Sequence, residues 1–495
     1  MSEANRGMGF GATDGGTYDL AIAGTGFAGS FFLSAYLEHA GPDERILVLE
    51  RGGYWDHARR VSERRNSPIE PSDAYRTSGD LAKEWRFTLG FGGGSNCWWG
   101  NTPRMVAADF EAHTRFGVGL NWPVSYDDLE FYYARAERMM SVSGPEEPWA
   151  SPRSVPYPQP AHRMNAPERL LKQHYPDTFF TTPTARARQP TKGRPSCCGN
   201  GVCHLCPVDA KFTVENAMMA VYDDPRVTVM LEAEVEAVDM EGGRATGFIY
   251  RKANDDRSTG ETRRVRADVV AVAANALFNP VILQRSGLTH PLLGRRLHEQ
   301  VGLRAEVFLD GVDSFDGSTS VTGHGMMLYD DDVRRRTMAP CLIETWNVGL
   351  LRRDPGRWRQ VLPVRMVFED LPLEENVVSV APDEAGGPVA HTVRRSDYAL
   401  KAIANARADL ERVMAPLPVE SIEFHAEVEP TEAHIMGTTV MGTDAATSVV
   451  DADSRHHDVR NLLVLGGSTF PTGPPANPTL TIAALSLRAA DRLWS

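Results

Sequence analysis

No apolar run in this chain approaches the roughly 18 residues that would read as membrane-spanning. Cysteine is scarce, at 6 of 495 residues, so a disulfide-built framework is excluded. Positive charge is also in deficit, with 52 Lys and Arg against 65 Asp and Glu and a net charge of −13. That balance makes nucleic acid a poor partner, because such binding leans on phosphate neutralisation. It is compatible with a cationic substrate, and equally with an ordinary acidic surface. The first residues, Met1 to Gly9, hold no basic stretch followed by an apolar one. No signal peptide is therefore expected, residues 1–16 read as a flexible tail, and a cytoplasmic location follows; a periplasmic one would require a signal-bearing partner. There is no internal repeat and no low-complexity block.

What is present is the composition of a folded protein, 42% hydrophobic and 24% charged. A chain of 495 residues predicts two closely packed domains. Near its start, Tyr18-Asp19-Leu20-Ala21-Ile22-Ala23 reads as a buried parallel strand. It enters Gly24-Thr25-Gly26-Phe27-Ala28-Gly29, and a helix-like segment from Ser30 to His39 follows. A second strand, Arg45-Ile46-Leu47-Val48-Leu49, ends in Glu50, 24 residues beyond Gly26. The first two glycines permit a tight turn and close approach to a pyrophosphate, and the third permits helix–strand packing. Phosphates would sit at the helix N-terminus, and Glu50 would accept from ribose hydroxyls.

At the other end of the chain, the apolar run Asn461 to Leu465 empties into Gly466-Gly467-Ser468-Thr469-Phe470-Pro471. Ahead of it lies Ala433-His434-Ile435-Met436-Gly437-Thr438, and after it Ala476-Asn477-Pro478-Thr479 leads into a final helix. A His and an Asn are thus each delivered from a loop close to a glycine turn. Oxidation of an alcohol by hydride loss requires the hydroxyl proton to leave as well, and a neutral imidazole is suited to take it. An amide can hold the same oxygen without changing its charge.

In order, Gly24 to Gly29, Leu49-Glu50-Arg51-Gly52, Gly92-Gly93-Gly94-Ser95-Asn96, His434, and Asn477-Pro478-Thr479-Leu480-Thr481 resemble the glucose–methanol–choline (GMC) oxidoreductases over residues 17–494. The resemblance implies FAD and an α/β fold, α+β overall: a Rossmann-like FAD-binding domain with a sheet-containing substrate domain. The expected FAD-binding domain covers residues 17–110, 197–300 and 434–495, and the substrate domain residues 111–196 and 301–433. Cofactor contacts are expected at Gly24, Gly26, Phe27, Ala28, Gly29, Glu50, Arg51, Gly93, Gly94, Ser95, Asn96, Gly467, Ser468, Pro478 and Thr479. His434 would be the base and Asn477 the residue that orients the substrate oxygen. Trp98 and Trp99 wall the active site or belong to the core. Asn275 stands where the family usually has Gly. The substrate implied is a sugar, glycoside or aminoglycoside-like polyol. The family also includes hydroxynitrile lyases, which keep the flavin without net redox chemistry.

Between these ends, residues 143–196 read as an irregular excursion and 227–252 as a hairpin around Gly242-Gly243. Residues 265–274 read as a strand and 279–287 as a helix, and 294–299 resemble the family's crossover into the substrate domain. Runs at 304–309, 364–368 and 377–380, with a helix over 399–414, suggest a sheet carrying the substrate-facing wall.

Four of the six cysteines fall in one window, residues 197–207, at Cys197, Cys198, Cys203 and Cys206. Clustered cysteines in a reducing compartment suggest metal ligands, with unliganded thiols as the alternative. The window resembles that of bacterial flavin–iron–sulfur sugar dehydrogenases, with a last interval one residue shorter. This implies a 3Fe-4S-type cluster and a redox partner protein; a structural zinc is the other metal reading. The sequence carries no sign of oligomeric state.

Overall fold

The computed structural model describes residues 16–146, 151–253, 260–382 and 386–494, so the expected N-terminal tail lies almost wholly outside the described residues. The strand Thr17–Ala23 pairs in parallel with Ile46–Leu49 on one side and with Thr262–Val272 on the other. Val227–Met230 adds in parallel beyond Ile46–Leu49. Leu20 to Ala23, Ile46 to Leu49 and Val270 to Val272 are all buried, which is why these strands read as continuous apolar runs rather than alternating ones. Two helices, Phe27–His39 and Thr479–Asp491, pack against each other and share one core with this sheet.

Thr262–Val272 does two jobs. Its first half pairs antiparallel with Arg244–Lys252, which pairs in turn with the outer strand Ala233–Glu241. Its second half is flanked by Thr17–Ala23 and by the short closing strand Leu462–Val464. The hairpin turn is Gly242-Gly243, both at positive φ (59° and 78°), as a two-residue turn matched to strand twist requires. Val227–Met230, expected in that hairpin, instead leaves it to become the parallel edge of the sheet. The helix expected from residue 279 begins four residues earlier, as Asn275–Arg285. It opens on Asn275 at φ 71°, a left-handed conformation that Asn tolerates where Gly would be the usual choice.

A six-stranded antiparallel sheet forms the second layer system: Val419–Phe424, Val301–Leu309, Val361–Phe368, Cys341–Trp346, Val321–Leu328 and Phe179–Thr181, in that order. The helix Asp397–Met414, capped by Ser396 Oγ accepting from Ala399 N, buries Ala402, Ala406, Leu410 and Val413 in the core of this sheet. Their spacing of three and four is the apolar stripe of a surface helix. Val377–Val380, expected in the substrate-facing sheet, lies elsewhere. It pairs with Pro388–His391 and Arg76–Ser78 in a separate three-stranded sheet. The run at 377–380 alternates as any half-buried strand does, and only the pairing partner decides which sheet it joins.

No helix among the described residues is long and apolar enough to cross a membrane.

Candidate active site

The three glycines of the first turn carry different duties. A Cβ on Gly24, which sits at φ 110°, would lie 2.5 Å from the carbonyl oxygen of Ala273. One on Gly29 would meet the carbonyl oxygen of Gly24 at 2.1 Å and the Ile22 side chain at 3.4 Å. These two therefore let the turn close and the helix lie on its strand. A Cβ on Gly26 would meet nothing within 4 Å, and the same holds for Gly94 in the second glycine loop. The helix Phe27–His39 begins beside Gly26 with no side-chain cap, leaving first-turn N–H groups for a ligand. Open space beside two glycines and an uncapped helix end suits a pyrophosphate.

Thr25, between the glycines, binds this cradle together. Its N–H and hydroxyl both donate to Glu50 Oε2, at 3.1 and 2.7 Å. Its hydroxyl oxygen accepts from Gly92 N at 3.0 Å, drawing in the second glycine loop. Gly52 N donates to Glu50 Oε1 at 2.9 Å. Burial raises the Glu50 carboxyl, and these donors work against that rise. Glu50 faces a cavity of about 790 Å³, within the range of ligand sites.

That cavity is continuous from the cradle to His434 and Asn477. Of the expected cofactor contacts, Gly24, Gly26, Phe27, Ala28, Glu50, Arg51, Gly93, Gly94, Gly467, Pro478 and Thr479 line it. Gly29, Ser95, Asn96 and Ser468 do not. The Ser95 hydroxyl donates to Gly92 O and accepts from Val214 N, and Asn96 Nδ2 donates to Phe91 O. Ser468 Oγ accepts from Asn279 Nδ2. These side chains hold the shape of their own loops. Trp98 and Trp99 both reach the cavity wall, and Trp98 is fixed by donating to Phe212 O at 2.8 Å.

His434 rides on a loop with unusual backbone geometry. Ala433 (φ 59°) and Thr438 (φ 85°) are left-handed although neither is glycine, and at Gly437 (φ 80°) a Cβ would strike Arg296 O. Such conformations persist only where the surroundings impose them. Glu299 helps to do so: its Oε2 accepts from Thr431 Oγ1 at 2.9 Å and from the N–H groups of Glu432 (3.3 Å) and His434 (3.4 Å). Lys83 forms an ion pair with the same carboxylate. The imidazole Nδ1 lies 3.0 Å from Gln300 Oε1, and Nε2 lies 3.5 Å from Asn477 Nδ2. Burial pushes the imidazole down to about 4, with Glu344 opposing and Arg365 adding to the shift. Asn477 Oδ1 is buried without a hydrogen-bond partner, as expected of a group that waits for a ligand hydroxyl.

Beyond this pair the wall is built by the six-stranded sheet, through Arg304, Glu344, Trp346 and Arg365. Trp346 packs on Trp99, with ring centroids 5.0 Å apart. Burial would raise Glu344, but His324 and Asn101 beside it and nearby Arg365 hold it below its usual value. The sequence offered no signal for these four, since they are unremarkable strand residues. Gln300 also escaped, although it directly follows the crossover segment 294–299.

The cysteine window does not assemble. Among the described residues, no three His, Cys, Asp or Glu side chains gather where a metal ion could bind. Cys203 is buried and donates to Ser320 Oγ at 3.2 Å, while Cys197 Sγ lies 3.4 Å from Thr319 Oγ1. Cys198 is exposed. Gly199 and Gly201, both at positive φ, turn the chain between them. Cys197 and Cys203 thus each face a hydroxyl, and the described residues do not gather the expected ligand set for an iron–sulfur cluster or a zinc ion.

Two family models, both described as GMC oxidoreductase, match residues 81–302 and 377–486. The chain is 26% identical to the fructose dehydrogenase large subunit of Gluconobacter japonicus, over 96% of this chain and 97% of the relative. To the paromamine 6'-oxidase of Streptomyces fradiae it is 27% identical, over 96% of this chain and 91% of the relative. The crystal structure of pyridoxine 4-oxidase from Mesorbium loti superposes with a TM-score of 0.65 at 16% identity, over 96% and 99% of the two chains, which speaks for the fold alone. The chain belongs to the GMC oxidoreductase family, a family of flavoproteins.

Proposed function

We propose that this GMC oxidoreductase oxidises a CH–OH group of a sugar, glycoside or aminoglycoside-like polyol. The observation that carries the reading is the single cavity joining the Gly26/Gly94 cradle to the His434–Asn477 pair. FAD bound there supplies the hydride acceptor. The residues that would hold it are the first-turn amides after Gly26, the open edge of Gly94, Glu50 on the ribose, and the Gly467, Pro478 and Thr479 backbone. His434 Nε2 takes the hydroxyl proton, and the neutral form favoured by burial is the form that can do so. Asn477 holds the substrate oxygen beside it. The substrate reading draws on the names of the relatives, a fructose dehydrogenase and a paromamine oxidase. It is supported by the far wall, where Trp99 and Trp346 offer flat apolar faces to a sugar ring, and Glu344 and Arg365 offer partners to its hydroxyls or amines.

The test is an anaerobic screen for flavin bleaching over fructose, other sugars, C-glycosides and aminoglycosides. A lyase substrate would leave the flavin oxidised, so bleaching separates the two chemistries. His434→Ala should keep its flavin and lose about 100-fold or more in the rate of flavin reduction. Reduction at the wild-type rate would remove His434 from the mechanism.

A further inference from the structure

We infer that Gln300 locks His434 in the tautomer that a base at this site requires, and that the same amide sets the loop carrying Asn477. The inference rests on the reading that His434 takes the hydroxyl proton. Gln300 is buried, and its two amide ends are chemically distinct. Its Nε2 faces the carbonyl oxygens of Pro474, at 2.8 Å, and Ala476, at 3.3 Å. Carbonyls only accept, so the amide nitrogen belongs on that side and the orientation of the amide is determined. Oε1 therefore faces His434 Nδ1, 3.0 Å away. An amide oxygen also only accepts, so Nδ1 must carry the hydrogen.

A neutral imidazole has one N–H. With Nδ1 occupied, the lone pair sits on Nε2, the nitrogen nearest Asn477. In water a neutral histidine side chain favours the opposite arrangement, with hydrogen on Nε2. That tautomer would point a donor at the substrate hydroxyl, itself a donor, and no proton could be accepted. In the locked tautomer the hydroxyl proton would pass to Nε2, and a bound oxidised flavin would supply the acceptor for the C–H electron pair. The carbonyl forms, and Nδ1–H stays on Gln300. Pro474 and Ala476 lie three residues and one residue before Asn477, so one amide places both partners of the hydroxyl. Gln300 touches neither substrate nor flavin in this account. It is a positioning residue, and the fold supplies it from the end of the crossover into Val301–Leu309.

The charged groups around the ring are Glu299 and Lys83 on the backbone side, and Glu344, Glu432 and Arg365 across it. They are common to every variant below. The experiment is long-range proton–nitrogen correlation NMR on the ¹⁵N-histidine-labelled, flavin-loaded enzyme, with the His434 signals assigned by their loss in His434→Ala. Wild type is expected to show a protonated Nδ1 and a pyridine-like Nε2. In Gln300→Leu the two nitrogens should exchange roles. Gln300→Glu should keep Nδ1–H and raise the His434 pKa by about one unit or more, because a carboxylate now faces the ring. With any sugar that bleaches the flavin, Gln300→Leu should reduce it about 100-fold more slowly, and Gln300→Glu should recover above its raised pKa. Hydrogen on Nε2 in wild type, or an unchanged tautomer in Gln300→Leu, would overturn the inference. Should the Leu variant fail to bind flavin, the wild-type tautomer and the Glu variant decide. The NMR readings need no substrate, so they stand or fall separately from the choice of sugar.

Discussion

The glycine cradle at Gly24–Gly29 and the cysteine window at Cys197–Cys206 are both dense local motifs, but only the cradle leaves room for a ligand. At Gly26 and Gly94 the protein stops short and open space begins. At Cys197 and Cys203 the space is taken by Thr319 and Ser320, which answer the thiols directly. The cradle is braced on both sides by regular structure, the strand Thr17–Ala23 before it and the helix Phe27–His39 after it. The window lies in a stretch without strand or helix between Thr181 and Val214. Spacing alone does not aim side chains, whereas a strand–turn–helix does. Burial also acts oppositely in the two regions. It drives His434 towards the neutral imidazole a base needs, and pushes the Cys203 thiol up, away from the thiolate that binds metal.

The largest expected break comes from Gly29→Ala. Its Cβ would occupy the place of the Gly24 carbonyl oxygen, so the turn must open and the purified protein should lack flavin absorbance. An ordinary flavin content would show that the cradle tolerates what its geometry forbids. Next is the acid limb of flavin reduction. With His434 pushed down to about 4, its imidazole stays neutral well below pH 6.5. Reduction at pH 5.5 should then run within about twofold of that at pH 7.5, where an unshifted histidine would lose about tenfold. A tenfold loss, measured by anaerobic stopped flow, would mean that the ring is better solvated than the structure shows. Thr25→Val removes the hydroxyl that links Glu50 to Gly92 while keeping shape, and should weaken FAD binding about tenfold by titration of the apoprotein. The smallest effect belongs to the window. Replacing Cys197, Cys198 and Cys206 with Ser should leave flavin reduction unchanged, and anaerobically purified wild type should carry background iron. Stoichiometric iron would abolish the contrast between the two motifs.

How much could be read in advance follows the range of the interactions. Tyr18 to Glu50 was legible because its signals are local: apolar runs, a glycine turn in which Gly24 and Gly29 leave no room for a side chain, and an acid at the end of the second strand. That His434 and Asn477 would meet at one cavity was legible through the order of motifs. The substrate wall was not. Val321–Leu328 hides because it contains Gly323 and Gly325, which strands usually avoid. A Cβ on Gly323 would lie 2.4 Å from Thr345 Oγ1 and 2.6 Å from the Phe179 ring, so this glycine answers two neighbouring strands, one of them more than 140 residues away. The misplaced run Val377–Val380 failed for the same reason, since its pattern is shared by strands of either sheet.

By itself the sequence determined the dinucleotide turn, the family-like order of its motifs and the loop placement of His434 and Asn477, the pair proposed to meet the reacting oxygen, because each depends on backbone geometry or chemistry within a few residues. Only the tertiary structure decided that no three of the described metal-ligating side chains gather at the window, that Glu344, Trp346 and Arg365 line the cavity, and that Gln300 stands behind His434. Those outcomes rest on contacts between distant segments, where an unpaired hydrogen-bonding end of a buried amide costs enough to fix its orientation, and no local pattern records them.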